Sequence, residues 1–95
     1  MQKLNFELGE VVQTRGIYEA SQQSKQFERE IQAAFRLYMA CNWGITCEED
    51  KELNNDAVKK NDDRIVAKYA TSKGNIFIIT EWDRSYTTIM FCEEY

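Results

Sequence analysis

Apolar and polar residues change their period along this chain, and the changes mark its elements. Between Ser24 and Cys41 the apolar positions are Phe27, Ile31, Ala34, Phe35 and Tyr38, with Ala33, Leu37 and Ala40 widening the stripe. Recurrence every three or four residues lines one face of a helix. The spacing predicts a central helix over residues 24–41, capped by Ser24 and closed at Asn42-Trp43-Gly44, where Gly44 supplies a left-handed residue. From Ile65 onward the period becomes two. Ile65, Ala67 and Tyr69 alternate with Val66, Lys68 and Ala70, the apolar run Ile76–Thr80 follows, and Thr87–Phe91 comes last. Turn residues at Ser72–Asn75 and Trp82–Ser85 join these runs into a three-stranded antiparallel meander.

Thr46-Cys47-Glu48-Glu49 has the spacing of a capping box, with Thr46 as N-cap of a second helix over about residues 47–61. Leu53 and Ala57 are its expected buried pair, and it frays near Asn61-Asp62-Asp63. Ahead of the central helix the pattern is weaker. Leu4, Phe6 and Leu8 alternate as in a short strand, but a short helix across residues 8–14 fits as well, and Gly16 suggests a bend. The fold class expected is α+β: two helices on one face of a three-stranded antiparallel sheet, with a short N-terminal strand or turn. All 95 residues fit one domain.

Composition narrows the chemistry. Apolar residues make up 43% of the chain, enough for a core. No apolar run approaches the roughly 20 residues of a membrane span, and the first residues lack a signal-peptide core, so a cytoplasmic protein is expected. Cys41, Cys47 and Cys92 are expected to be reduced thiols. The chain has no histidine, which removes serine–histidine and cysteine–histidine chemistry and leaves no base titrating near neutral pH. No cofactor and no structural metal are expected. The formal net charge of −4 disfavours direct binding to nucleic acid. That charge lies in residues 47–63, where seven acids face Lys51, Lys59 and Lys60.

Three features are candidates for function. Glu48, Glu49, Glu52 and Asp56 on the second helix form an acidic face, read either as a solubilising surface or as a patch that docks onto a basic partner. Trp43 and Trp82 sit in loops; Trp43 reads as a lid on the core or a partner anchor, Trp82 as an exposed anchor or a packed residue. The polar run Glu81-Trp82-Asp83-Arg84-Ser85 reads as a turn, with Arg84 paired to Glu81 or to an acid of the second helix, or as a small binding surface. Carboxylate chemistry with a divalent ion is the alternative, using Glu81 and Asp83 with Glu49, Asp50 and Lys68.

Four segments together resemble a family of short "plasmid-related" proteins of plasmids, prophages and conjugative elements, mostly in gut Firmicutes. They are residues 8–17, LGEVVQTRGI; Trp43-Gly44; residues 47–54, CEEDKELN; and residues 78–91, IITEWDRSYTTIMF. The resemblance spans nearly the whole chain. It implies an accessory protein of a mobile element, and by context an antagonist of host defence such as an inhibitor of a CRISPR nuclease. On that reading Thr14, Arg15 and Gly16 share a surface with Glu81, Asp83 and Arg84. Cys92 stands where the family pattern leads one to expect proline, which argues against a role for it.

Two classes of function follow. One is a non-enzymatic module that binds a bacterial or mobile-element protein, such as a basic nucleic-acid-binding protein, as a monomer or small homo-oligomer. Its surface would draw on Arg15, Trp43, Glu48, Glu49, Glu52, Asp56, Glu81, Trp82, Asp83 and Arg84. The other is a small metal-dependent hydrolase or nuclease, and a third possibility is a structural dimer subunit in which the edge of the meander pairs with itself. No reading involves a membrane.

Overall fold

The computed structural model describes residues 5–95. Leu4, expected to open an N-terminal strand, lies outside the described residues. In chain order the elements are β1 (Glu10–Gln13), α1 (Arg15–Gln23), α2 (Lys25–Met39), α3 (Glu48–Lys60), β2 (Ile65–Tyr69), β3 (Ile76–Thr80) and β4 (Tyr86–Phe91), followed by a 3-10 turn at Cys92–Glu94.

The architecture corrects the expected fold in two ways. Among the described residues there are three helices rather than two, and the sheet has four strands in the order β1-β4-β3-β2, with β1 parallel to β4. The meander β2-β3-β4 is antiparallel throughout, with Ile78 opposite both Ala67 and Ile89. The segment at residues 8–14 is therefore neither a helix nor an isolated turn. Its four strand residues pair with the far end of the chain, Glu10 beside Tyr86 and Gln13 beside Ile89. The extra helix α1 begins where a bend was expected. Thr14 caps it by accepting from the Ile17 amide, and Gly16 lies within its first turn.

The expected central helix is observed as α2. Ser24 caps it, its hydroxyl accepting from the Phe27 amide at 3.1 Å, and it buries Phe27, Ile31, Ala34 and Tyr38. Its left-handed residue is Cys41 (φ 60°), not Gly44. Gly44 also has positive φ, but for a different reason: a Cβ there would run into the ring of Tyr69 and the carbonyl of Lys68. With Ile17 and Ala20 of α1, the apolar residues of α2 cover one face of the sheet, formed by Ile65, Ala67, Tyr69, Ile76, Ile78 and Ile89. Phe27 stacks on Phe91 with ring centroids 5.5 Å apart.

One polar chain crosses this core. Thr87 Oγ1 donates to the Leu8 carbonyl at 2.7 Å. Its oxygen then accepts from Thr80 at 2.7 Å, and Thr80 accepts from the Tyr38 hydroxyl at 2.7 Å. Each hydroxyl donates onward and ends on a backbone acceptor, so two threonines can be buried without an orphaned proton. Burial pushes the Tyr38 hydroxyl well above the ordinary tyrosine range, the Thr80 hydrogen bond and the Arg84 charge opposing only in part, and burial likewise raises Tyr69.

The sign of the pH effect follows. An acid whose folded pKa is raised contributes stability that is complete below its unfolded value, about 10 for tyrosine, and is lost as pH climbs toward the folded value. Stability should therefore fall above about pH 10. The fall should be shallower in Tyr38→Phe, as read from urea unfolding across alkaline pH. Equal slopes for the two proteins would mean that Tyr38 ionises as freely in the fold as in the unfolded chain.

Candidate functional site

Helix α3 does not lie on the face of the sheet. It runs beside the outer edge of β2, and this placement decides which of its residues are buried. An edge strand offers unpaired amides and carbonyls, and what matches them is another amide. Asn54 supplies it: its Nδ2 donates to the Val66 carbonyl at 2.9 Å and its Oδ1 accepts from the Val66 amide at 3.1 Å. The expected buried pair of Leu53 and Ala57 is thus corrected to Asn54 and Ala57, and Leu53 turns outward with 61% of its surface exposed.

Thr46 is corrected in the same way. The N-cap of α3 is Cys47, which makes no side-chain cap bond. The buried Thr46 hydroxyl instead donates to the Trp43 carbonyl and accepts from the Lys68 amide at 2.8 Å. The Ile45 amide donates to the Lys68 carbonyl. Asn54, Thr46 and Ile45 together close the β2 edge.

Trp43 belongs to the core rather than to a contact surface. It is 3% exposed, packs edge-on to Tyr38 at 5.5 Å, and its indole N–H donates to Asn55 Oδ1 at 2.9 Å.

The run at residues 81–85 closes β3 onto β4. The Arg84 amide donates to the Glu81 carbonyl, and Asp83 Oδ1 accepts from the Ser85 amide at 3.0 Å. The Ser85 hydroxyl first, and this amide second, hold the exposed Asp83 carboxyl below the usual aspartate range. Trp82 stands at the tip with 66% of its surface exposed. Arg84 takes a left-handed backbone (φ 61°) and folds its side chain inward to 7% exposure.

No carboxylate meets Arg84, contrary to the expected pairing with Glu81 or an acid of α3. Five backbone carbonyls do. Nη1 donates to Asp63 at 2.6 Å and to Glu81 and Trp82 at 3.2 Å, and Nη2 donates to Ala57 at 2.9 Å and Asp62 at 3.1 Å. Helix α3 ends at Lys60 with a left-handed C-cap at Asn61, and Asp63 just beyond it is left-handed too. That path brings the carbonyls of Ala57, Asp62 and Asp63 around this guanidinium. A cation at a helix C-terminus also sits at the negative end of the dipole. Arg84 therefore ties the hairpin that carries Trp82 to the end of the acidic helix, and it is not a contact residue.

Several candidates do share a surface. Glu48, Glu49, Glu52 and Asp56 are exposed along α3, and Lys51 pairs with Glu48 at 3.4 Å. Leu53 lines two adjoining grooves, one with Asp56, Lys60, Asp62 and Asp63, the other with Asp50, Asn54, Asp63, Arg64 and Val66. A helical stripe hides this exposed apolar residue, because it assigns Leu53 to the core.

Arg15 lies elsewhere. It begins α1 after β1, at the sheet edge opposite β2 and α3, and pairs with Glu19 at 2.7 Å. Its neighbour Thr14 donates to Glu94 at 2.9 Å, at the other end of β1 from the 81–85 hairpin. The shared surface expected for Thr14, Arg15 and Gly16 with Glu81, Asp83 and Arg84 is not formed.

Among the described residues no group of three or more cysteine or carboxylate side chains converges as a metal site, and no helix is long and apolar enough to cross a membrane. Burial pushes the Cys41 and Cys92 thiols up, away from the reactive thiolate. No family model, curated protein or solved structure matches the chain.

Proposed function

We propose that this chain is a non-enzymatic binding module of a bacterial mobile element, acting in the cytoplasm, whose α3 face docks onto a basic surface of a larger protein. A protein that ordinarily holds nucleic acid fits best, with a CRISPR nuclease the case suggested by the resemblance to plasmid-related proteins. The observation that carries this reading is the exposure of Leu53 and Trp82. Leu53 lies exposed beside Asp56 and Asp63, in grooves that also hold Lys60 and Arg64. It adds apolar area among charged residues, and the exposed Trp82 is the stronger anchor, since tryptophan is enriched at contact hot spots and leucine is not. The carboxylates of Glu48, Glu49, Glu52 and Asp56 supply the long-range attraction, and Leu53 the short-range grip. Trp82 is tied to the end of the same helix by Arg84.

The test begins with capture of the partner from a lysate of the host and continues with surface plasmon resonance at two salt concentrations. Replacing Glu48, Glu49, Glu52 and Asp56 together by lysine should slow association about tenfold or more and remove its salt dependence. Leu53→Ser and Trp82→Ala should act on dissociation instead. If the charge-reversed protein associates as fast as wild type with the same salt dependence, the acidic face is a solubilising surface and the reading fails.

A further inference from the structure

The two edges of the sheet are treated in opposite ways. The β2 edge is closed by Asn54, Thr46 and Ile45. The β1 edge carries no such device. All four residues of β1 are exposed, with Val11 at 46% and Val12 at 37%. In the parallel pairing with β4 the amides of Glu10 and Thr14 bond to Ser85 and Ile89. Residues alternate along a strand, so the amides and carbonyls of Val11 and Gln13 point away from the sheet. Among the described residues no strand covers them. Folded proteins protect such an edge with short length, charge, proline or a bulge. β1 is four residues long and carries Glu10 at its start, but its centre, Val11-Val12, has neither charge, proline nor bulge.

We infer that β1 is the contact strand of a symmetric homodimer, in which two copies join antiparallel through Val11, Val12 and Gln13 to form one continuous eight-stranded sheet. The occupant is a second copy because the edge is complementary to itself. A two-fold axis at Val12 places Val11 of each copy opposite Gln13 of the other, so the outward groups of both residues exchange hydrogen bonds in pairs. The two Val12 side chains then meet in the closer, non-hydrogen-bonded position, where apolar pairs pack best.

Charge selects the same orientation. The antiparallel register sets Glu10 opposite Thr14 of the other copy and beside its Arg15. A parallel register would set Glu10 against Glu10. Val12 shares the sheet face of Thr88, its partner on β4, and that face also carries the half-buried Met90 and Phe77. Pairing would extend this apolar surface across the axis. The contact is small, so the dimer belongs with weak assemblies, with a dissociation constant in the range of about 1–100 µM. It uses the edge opposite α3 and stands independently of what α3 binds.

Sedimentation equilibrium of the full chain over about 10 µM to 1 mM reads the association directly, across the range expected of a weak dimer. Wild type should pass from monomer to dimer, stopping at two copies because the axis closes the assembly. Val11→Pro removes an outward donor without touching the ladder to β4, a substitution that edge strands accept. Val12→Lys sets two like charges on the axis at an already exposed position. Both should be monomeric throughout. If circular dichroism shows Val11→Pro to be unfolded, Val12→Lys alone decides. Exchange of the Val11 and Gln13 amides should also be slow at high concentration and fast on dilution. A wild type that stays monomeric at 1 mM, a dimer that persists unchanged in Val12→Lys, or amides that exchange equally fast at both concentrations overturns the inference.

Discussion

Arg84→Met is expected to lower the free energy of unfolding by about 3–5 kcal/mol, a large fraction of what a domain of this size possesses. The direction is not obvious in advance, because replacing a buried ion pair by apolar residues is often neutral or stabilising. That result applies where both partners are replaced. The partners of Arg84 are the carbonyls of Ala57, Glu81, Asp62, Asp63 and Trp82, which belong to the backbone and remain after any substitution. Without the guanidinium the Ala57 carbonyl keeps the Asn61 and Asp62 amides, and Glu81 keeps the amide of residue 84. The half-buried carbonyls of Asp62, Asp63 and Trp82 lose the charged donor that joins the hairpin to the end of α3. Hydrogen bonds to a charged group contribute about 1.5–3 kcal/mol each, and removal of the buried, unpartnered Nε offsets part of that loss. The left-handed backbone at residue 84 is a further cost that the guanidinium offsets. Arg84→Lys should lose less than Arg84→Met, because an ammonium keeps the charge at the helix terminus while giving up the fork that reaches five acceptors. Urea unfolding measures both variants. Arg84→Met within about 1 kcal/mol of wild type would mean that water can satisfy these carbonyls, and Arg84 would lose its structural role.

The same residue shows where the sequence stops being informative. The polar run at 81–85 is visible as a turn, and Arg84 invites a search for a carboxylate. Its actual partners are carbonyls, which every residue carries, so nothing in the sequence marks them. Asn54 is hidden for a related reason. An apolar stripe predicts packing on a sheet face, whereas α3 packs on a sheet edge, where the complementary group is an amide and Leu53 is left outside. The meander and α2 were legible because both bury one face against the core, so period two and period 3.6 appear directly. β1 has no alternation to read, since all four of its residues are exposed, and its partner β4 lies at the other end of the chain. α1 buries only Ile17 and Ala20, too few to mark a helix face. Of the candidate surface, the acidic residues of α3 and the exposed Trp82 were visible. The burial of Trp43 and Arg84, and the separation of Arg15 from the rest, depend on how distant segments meet.

Gly9→Ala should be nearly as damaging as Arg84→Met, with a loss of about 2–5 kcal/mol. Gly9 has φ 64°, and a left-handed backbone costs a residue with a Cβ about 1–2 kcal/mol. The second part of the cost is steric. A Cβ at residue 9 would overlap the carbonyl oxygens of Arg84 and Ser85. These are backbone atoms that cannot rotate aside, and overpacking of this kind costs about 1–3 kcal/mol. The overlap falls at the point where the chain enters β1 and where the Glu10 amide donates to the Ser85 carbonyl at 3.1 Å. Relief requires β1 to draw back from β4, which also withdraws the Leu8 carbonyl from Thr87. The hydroxyl chain from Tyr38 through Thr80 would then lose its terminal acceptor. The damage should therefore reach the core as well as the edge. Urea unfolding should show the loss, and amide exchange should quicken at Val12 and Thr14, which face β4, while β2 and β3 keep their protection. A loss below about 1 kcal/mol with unchanged exchange at these two amides would show that β1 accommodates the methyl group, and that its parallel pairing with β4 is looser than the contacts at Gly9 require.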